Sequence, residues 1–355
     1  MSKLINITLT SLLISSQAFS SNLTGFTETT LVTNATDADL VNPWGVSSSP
    51  SGPFWVSDNG TGKSTLYNSA GAKQGLIVSM PAGSFDVSGQ VFNSNAGNFH
   101  GDLFVFATED GTITGWRGAL GSTAETLFSV AGASYKGLAI SPTGDTLYAA
   151  NFAAGTIDVF KSSGLTASIS DPSVPAGYAP FNVQTIDGKI YVTYALRGVG
   201  GDNAVGAGEG FVSVFNPATN TFSRLTSQGV LNAPWGLAIA PKGFGSLGGD
   251  LLVGNFGDGT INAFDPTTGN LIGTLAGLDN KPLANDGLWA LDFGNGGSGG
   301  LLGALYITAG PADESGGLFA RIDSVAPEPS TLLLAPLALA FLASRRRKSF
   351  AKLCQ

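Results

Sequence analysis

"PWGLAIAPKGFGSLGGDLLVGNFGDGTINAFDPTTGNLIGTL", residues Pro234–Leu275, decides the fold. Trp235–Ala240 is a short apolar run and Asp250–Asn255 a second. Gly259–Phe264 alternates as a third, and Asn270–Leu275 makes a fourth. Gly, Pro and Asp separate them, and Asp265-Pro266-Thr267-Thr268-Gly269 has the composition of a tight turn. Runs this short between turn residues read as strands. The stretch is one four-stranded unit.

The same order recurs along the chain. "NPWGVSSSPSGPFWVSDNGTGKSTLYN" starts at Asn42 and "YKGLAISPTGDTLYAANFAAGTIDVFKSSG" at Tyr135. "APFNVQTIDGKIYVTYAL" starts at Ala179, and "GLWALDF" opens a last unit that ends at Asp323. Aligned on the residue just before the Gly-hydrophobic run, the units give Trp44, Ser88, Lys136, Phe181, Trp235 and Trp289, at intervals of 44, 48, 45, 54 and 54 residues. Periods of this size with four strands each mark propeller blades. The expected fold is an all-β, six-bladed β-propeller over residues 21–325. The last unit lacks a fourth strand, and an orphan strand, Phe26–Thr33, precedes the first. A ring removes its open edges only by closing. The orphan is therefore expected to pair as the outer strand of the last blade. A pair of β-sandwich sheets explains neither the period nor the orphan.

The body, Phe26–Asp323, resembles an uncharacterised bacterial propeller family. The resemblance is carried by "NPWG" (Asn42–Gly45), "FATEDGTI" (Phe106–Ile113), "PWGLA" (Pro234–Ala238) and "LLVGNFGDGTINAFDPTTG" (Leu251–Gly269). It implies the propeller but lends no activity. The chain is also distantly similar to NHL-type propellers, which are mostly interaction platforms.

Composition narrows the function classes. The 355 residues are 43% apolar and 12% charged, enough to bury a large core and too apolar for global disorder. The net charge is −8, unevenly placed: residues 21–326 hold 11 Lys and Arg against 24 Asp and Glu, a balance of −13. Such a body repels phosphates, so nucleic acid is not an expected partner. Cys354, near the C-terminus, is the sole cysteine, which leaves the body without a disulfide, a thiolate nucleophile or a Cys-bound zinc.

Both ends carry targeting character. Residues 1–20 hold Lys3, an apolar run near Leu4–Ile14 and small residues at Ala18 and Ser20, the order of a secretory signal peptide. In residues 326–355, Pro327-Glu328-Pro329 is followed by apolar Leu332–Ala343 and then by Arg345, Arg346, Arg347 and Lys348. Twelve residues at ~1.5 Å each reach ~18 Å, short of a ~30 Å hydrocarbon core, although flanking Ser, Thr and snorkelling Arg extend that reach. The segment reads as a short transmembrane tether with its basic end on the cytoplasmic side. The tripartite order resembles the PEP-CTERM sorting signal. That resemblance implies an exosortase as partner, cleavage near Pro327–Pro329, and a body placed at the cell surface or outside the cell. A permanent single-pass anchor is the other reading.

Candidate chemistry is sparse. The ring of first-strand residues at the channel mouth, Trp44, Ser88, Lys136, Phe181, Trp235 and Trp289, has too few oxygens to hold calcium as propeller lactonases do. Its aromatic rings either stack on sugars, with Lys136 attracting an anionic group, or plug the channel where the strands converge. A second set lies where second strands end: Asp58 and Asn59, Glu109 and Asp110, Asn151 and Asn255. These suit an acid/base pair or a calcium site, or else they simply make turns. "DNGTGKST" fails as a phosphate loop, because Ser57 stands where Gly is required and no helix follows. The lone His100 suggests a turn, and Asp313-Glu314 a solvated loop. No cofactor, no metal and a monomer are expected. The sequence reads as an exported binding or structural component of the cell surface or polysaccharide matrix. The alternative is a hydrolase, lactonase-like or glycan-active, at the channel mouth.

Overall fold

The computed structural model describes residues 21–325; the signal-like segment and the tail with Pro327, Glu328, Pro329, Arg345, Arg346 and Arg347 lie outside the described residues. Strands and short turns make up almost all of the described chain. Among the described residues, no helix is long and apolar enough to cross a membrane.

The first repeat forms β2 (Pro43–Ser48), β3 (Phe54–Asp58), β4 (Lys63–Tyr67) and β5 (Lys73–Ser79), paired in that order. The second forms β6 (Val87–Phe92), β7 (Phe104–Thr108), β8 (Thr112–Trp116) and β9 (Glu125–Ser129). The third is β10 (Tyr135–Ile140), β11 (Leu147–Asn151), β12 (Thr156–Lys161) and β13 (Gly164–Ile169). The fourth is β14 (Tyr178–Ile186), β15 (Lys189–Leu196), β16 (Gly210–Asn216) and β17 (Thr221–Ser227). Each is a separate antiparallel sheet.

The last two repeats share one sheet. β18 (Pro234–Ile239), β19 (Leu251–Asn255), β20 (Ile261–Phe264) and β21 (Leu271–Gly277) form one half. β22 (Leu288–Phe293), β23 (Ala304–Ala309) and β24 (Leu318–Ser324) form the other, and β1 (Asn22–Thr33) lies between β21 and β24. β1 runs antiparallel to β24 from Phe26↔Ser324 to Thr33↔Leu318. It starts four residues before the expected orphan strand. Those residues pair parallel to β21, Asn22 with Thr274 and Leu23 with Leu275. This parallel seam, which joins two repeats into one sheet, carries no repeat signal in the sequence.

The glycine that follows four of the six alignment residues, Trp44, Ser88, Lys136 and Trp235, has a packing cause. A Cβ on Gly45 would lie 2.6 Å from the Ser88 carbonyl oxygen, and one on Gly236 would lie 2.6 Å from that of Trp289. Each glycine lets the first strand of one repeat approach the backbone of the next. First strands thus touch in chain order, and β22 also contacts β2. The apolar core is distributed between the faces of successive sheets. Ala139, Tyr148, Ala150 and Ile157 of the third repeat pack on Val183, Val192 and Phe211 of the fourth, and the other pairs of neighbouring sheets pack likewise.

Candidate functional site

The convergence of first strands places four expected mouth residues in one cluster. Trp44, Phe181, Trp235 and Trp289 pack with Phe152. Trp44 stacks on Trp289 at 3.7 Å between centroids, and Trp235 meets Trp289 edge-on at 5.8 Å. Phe256 covers Trp289 at 4.3 Å. The four mouth aromatics are between 0% and 4% exposed. No ring face is left open for a sugar, because the rings satisfy each other. They fill the space between the strands and form a floor. Ser88 is also structural: its Oγ donates to the carbonyl oxygens of Tyr135 at 2.6 Å and Ala107 at 3.2 Å.

Lys136 stands on this floor. Its Nζ lies 5.2 Å from the Trp44 ring centroid and 5.9 Å from that of Phe152. The side chain is buried, and a buried ammonium requires compensation. Glu109 pairs with it directly, and Asp202 lies 3.7 Å away. Lys136, expected to attract an anionic group, thus has its charge matched by carboxylates of the protein itself.

A chain of hydrogen bonds ties the floor to this ion pair. The Trp289 indole donates to Asn42 Oδ1 at 2.9 Å. Asn42 Nδ2 donates to Asn59 Oδ1 at 3.2 Å and to Glu314 Oε2 at 2.5 Å. Asn59 Nδ2 donates to Glu109 Oε2 at 3.0 Å. Asn42 has φ 45°, a left-handed conformation that Asn tolerates better than most residues. Glu314, expected in a solvated loop, is instead drawn inward by Asn42. Burial raises its carboxyl above the ordinary range, against the lowering effect of that bond.

Above the pair is a cavity of about 490 Å³, bordered by Asp86, Glu109, Lys136, Arg197 and Asp202 and by the backbone at Gly200–Gly201. Arg197 is anchored by donation to the Phe152 carbonyl oxygen from Nε at 3.1 Å and Nη2 at 2.8 Å. Desolvation raises the Asp86 carboxyl, and the negative charges of Glu109 and Asp110 add to the shift. The cavity therefore offers cationic donors and carboxylate acceptors side by side, with nearly cancelling charge.

The second expected set does not converge. Asp58 is fully buried in its own sheet, where Oδ2 accepts a 2.7 Å bond from Thr65 Oγ1 and burial holds its carboxyl well above the usual range. Its neighbour Asn59, not Asp58, reaches Glu109. Asn151 braces a turn by accepting from the Ala154 amide at 3.1 Å, and Asn255 does so by donating to the Val230 carbonyl at 2.7 Å. Asp110 accepts from the Thr112 amide at 3.1 Å. These residues are engaged as turn makers, not gathered as calcium ligands. His100, with Asp102 and Glu125, forms the one His-containing cluster with metal-like spacing among the described residues. Arg117 binds both of its carboxylates, Asp102 at 2.7 Å, so a guanidinium already sits where a cation would.

Sequence did not mark Asn42, Asp86, Arg197 and Asp202 as site residues. Asn42 opens the Asn42–Gly45 motif, and that place was the available signal. Arg197 and Asp202 lie in a Gly-rich loop between strands, where no pattern marks function.

No family model matches the chain. It is 33% identical over 281 residues to uncharacterized protein R648 of Acanthamoeba polyphaga mimivirus, covering 72% of this chain and 69% of that one. It is 32% identical to uncharacterized protein L690 of the same virus, covering 72% and 74%. The chain belongs to the family of these proteins. Similarity in fold reaches further. A streptogramin B lyase structure superposes with a TM-score of 0.54 at 12% identity, covering 84% of this chain and 98% of that one. A luciferin-regenerating enzyme gives 0.53 at 14% identity, covering 85% and 96%. These likenesses establish a β-propeller-like, all-β architecture.

Proposed function

We propose that this protein is a six-bladed β-propeller, closed through β1, that binds a neutral carbohydrate at the cavity over Glu109 and Lys136. Six first strands in mutual contact, together with the β1–β24 pairing, support the closed six-bladed reading. The mixed-charge cavity carries the functional reading. Sugar hydroxyls donate and accept, so they suit carboxylates interleaved with Lys and Arg. Near-cancelling charge disfavours an ionic ligand. The aromatic cluster beneath gives the polar groups a rigid base.

The chain ends support an exported protein. In this reading residues 1–20 direct secretion, and the PEP-CTERM-like tail is processed by an exosortase, which leaves the body at the surface or in the polysaccharide matrix. Mass spectrometry of the exported protein should then find a C-terminus near Pro327–Pro329. Recovery of intact Arg345–Gln355 on surface protein would defeat the sorting part of the proposal.

A glycan array probed with purified protein tests the binding part. The expected result is selective binding to neutral glycans that is lost in Asp202→Ala. Asp202 is exposed, so its removal should change stability by no more than about 0.5 kcal/mol. Binding to acidic glycans alone, or to none, would oppose the proposal. A hydrolase at the same cavity is the second reading, favoured by the raised carboxyls of Asp86 and Glu314 near Glu109. It requires glycan cleavage that Glu109→Gln abolishes while binding persists.

A further inference from the structure

A second cavity, of about 250 Å³, runs between the first strands and reaches Trp235 from the side away from Lys136. Its walls are the first strands themselves, each paired in a sheet on one edge only. Their other edges turn backbone groups inward, and side chains of neighbouring repeats satisfy some of them, as Asn182 does at the Trp235 carbonyl and Thr185 at that of Ile140. One ionisable residue borders it, Asp292 of β22. The strand reads Leu288-Trp289-Ala290-Leu291-Asp292-Phe293, and an acid in that run answers to no packing need. Asp292 is half-buried by surface exposure; among the described residues no side chain pairs with it, burial from water pushes its carboxyl up to about 7, and one backbone hydrogen bond from Phe293 opposes that shift.

Two other acceptors in the wall are idle, unlike the Asp292 carboxylate, which has its one backbone donor. Gln90 is 5% exposed, and its Nε2 donates to the carbonyl oxygens of Gly45 and Trp55, both at 2.7 Å, while its Oε1 has no partner. Ser47 Oγ is buried and unpartnered as well. Buried polar atoms of this kind are normally satisfied. Around one cavity stand a carboxylate with no cation beside it and an amide oxygen and a hydroxyl with no partner, a set that suits a donor-rich, positively charged ligand.

We propose that this cavity binds a small primary amine in its ammonium form, with Asp292 as counter-ion and Gln90 Oε1 and Ser47 Oγ as further acceptors. One carboxylate balances one positive charge. A divalent ion would need more anionic oxygens than the wall supplies. The volume is also several times the ~30 Å³ share of one water molecule, room for a molecule and not just a bare ion. The aromatic floor separates this site from the mouth, so neither proposal depends on the other.

Thermal unfolding of the full chain at pH 8, with n-propylammonium, n-propanol and Ca²⁺ as probes, tests it. At roughly 50-fold over Kd, n-propylammonium should raise Tm by about 3–5 °C, with n-propanol and Ca²⁺ ineffective. Asp292→Asn, nearly isosteric, should abolish the rise. Three results would each overturn the proposal: no rise with the amine, an equal rise in Asp292→Asn, or a rise produced by Ca²⁺ in place of the amine.

Discussion

Deleting residues 22–33 should cost most of the protein's stability. β1 contributes a full strand between β21 and β24, so its loss opens two edges at once. It also takes Phe26, which packs on Phe244 at 5.1 Å, and Val32, buried beside Phe319 and Tyr67. Each buried side chain of this size is worth about 1.5–3 kcal/mol, before any ladder hydrogen bond is counted. Set against a typical total of about 5–15 kcal/mol, that is a large share. The bare edges of β24 and β21 further invite pairing between molecules. The expected outcome is a Tm lower by well over 10 °C, or insoluble protein, read by calorimetry and light scattering. Phe26→Ala should give an intermediate loss of about 3–5 kcal/mol. An unchanged melt of the deletion variant would mean that β1 closes nothing.

The second large effect is expected at the aromatic floor. Trp289 is fully buried and central, touching Trp44, Trp235, Phe181 and Phe256. Trp289→Ala should therefore cost about 3–5 kcal/mol in urea unfolding, since the rings around it cannot collapse into the void. The loss should exceed that of Trp289→Phe by about 1–3 kcal/mol, even though both variants leave Asn42 Oδ1 without its indole donor. Because Asn42 positions Asn59 and through it Glu109, both variants should also loosen the mouth cavity. A cost below 1 kcal/mol for Trp289→Ala would contradict a packed floor.

The repeat was legible because turn residues and short apolar runs are local signals. The six alignment residues all fall within the first strands of their units, from Trp44 in β2 to Trp289 in β22. The pairing of the orphan strand with β24 was legible from an edge count. The parallel seam of Asn22 and Leu23 with β21 was not, since two extra paired residues leave no periodic trace. The site was legible only in part. The sequence brought Lys136 and the aromatics together but not their exposure, because identical residues serve a sugar platform or a plug and only packing separates the two. It paired Asp58 with Glu109 by analogy of position. Strand alternation instead turns Asp58 into its own sheet and leaves Asn59 to make the contact. Asp292 escaped notice because one acid inside an apolar strand looks like an ordinary solvent-facing position.

Binding at the cavity over Glu109 and Lys136 is put to the test by calorimetric titration with the strongest glycan from the array. Wild type, Asp202→Ala and Glu109→Gln would be compared at temperatures well below each Tm. Both variants should weaken Kd at least tenfold, about 1.4 kcal/mol, with the fold intact by circular dichroism. Affinity unchanged within about twofold in both variants would place the binding away from Glu109 and Lys136.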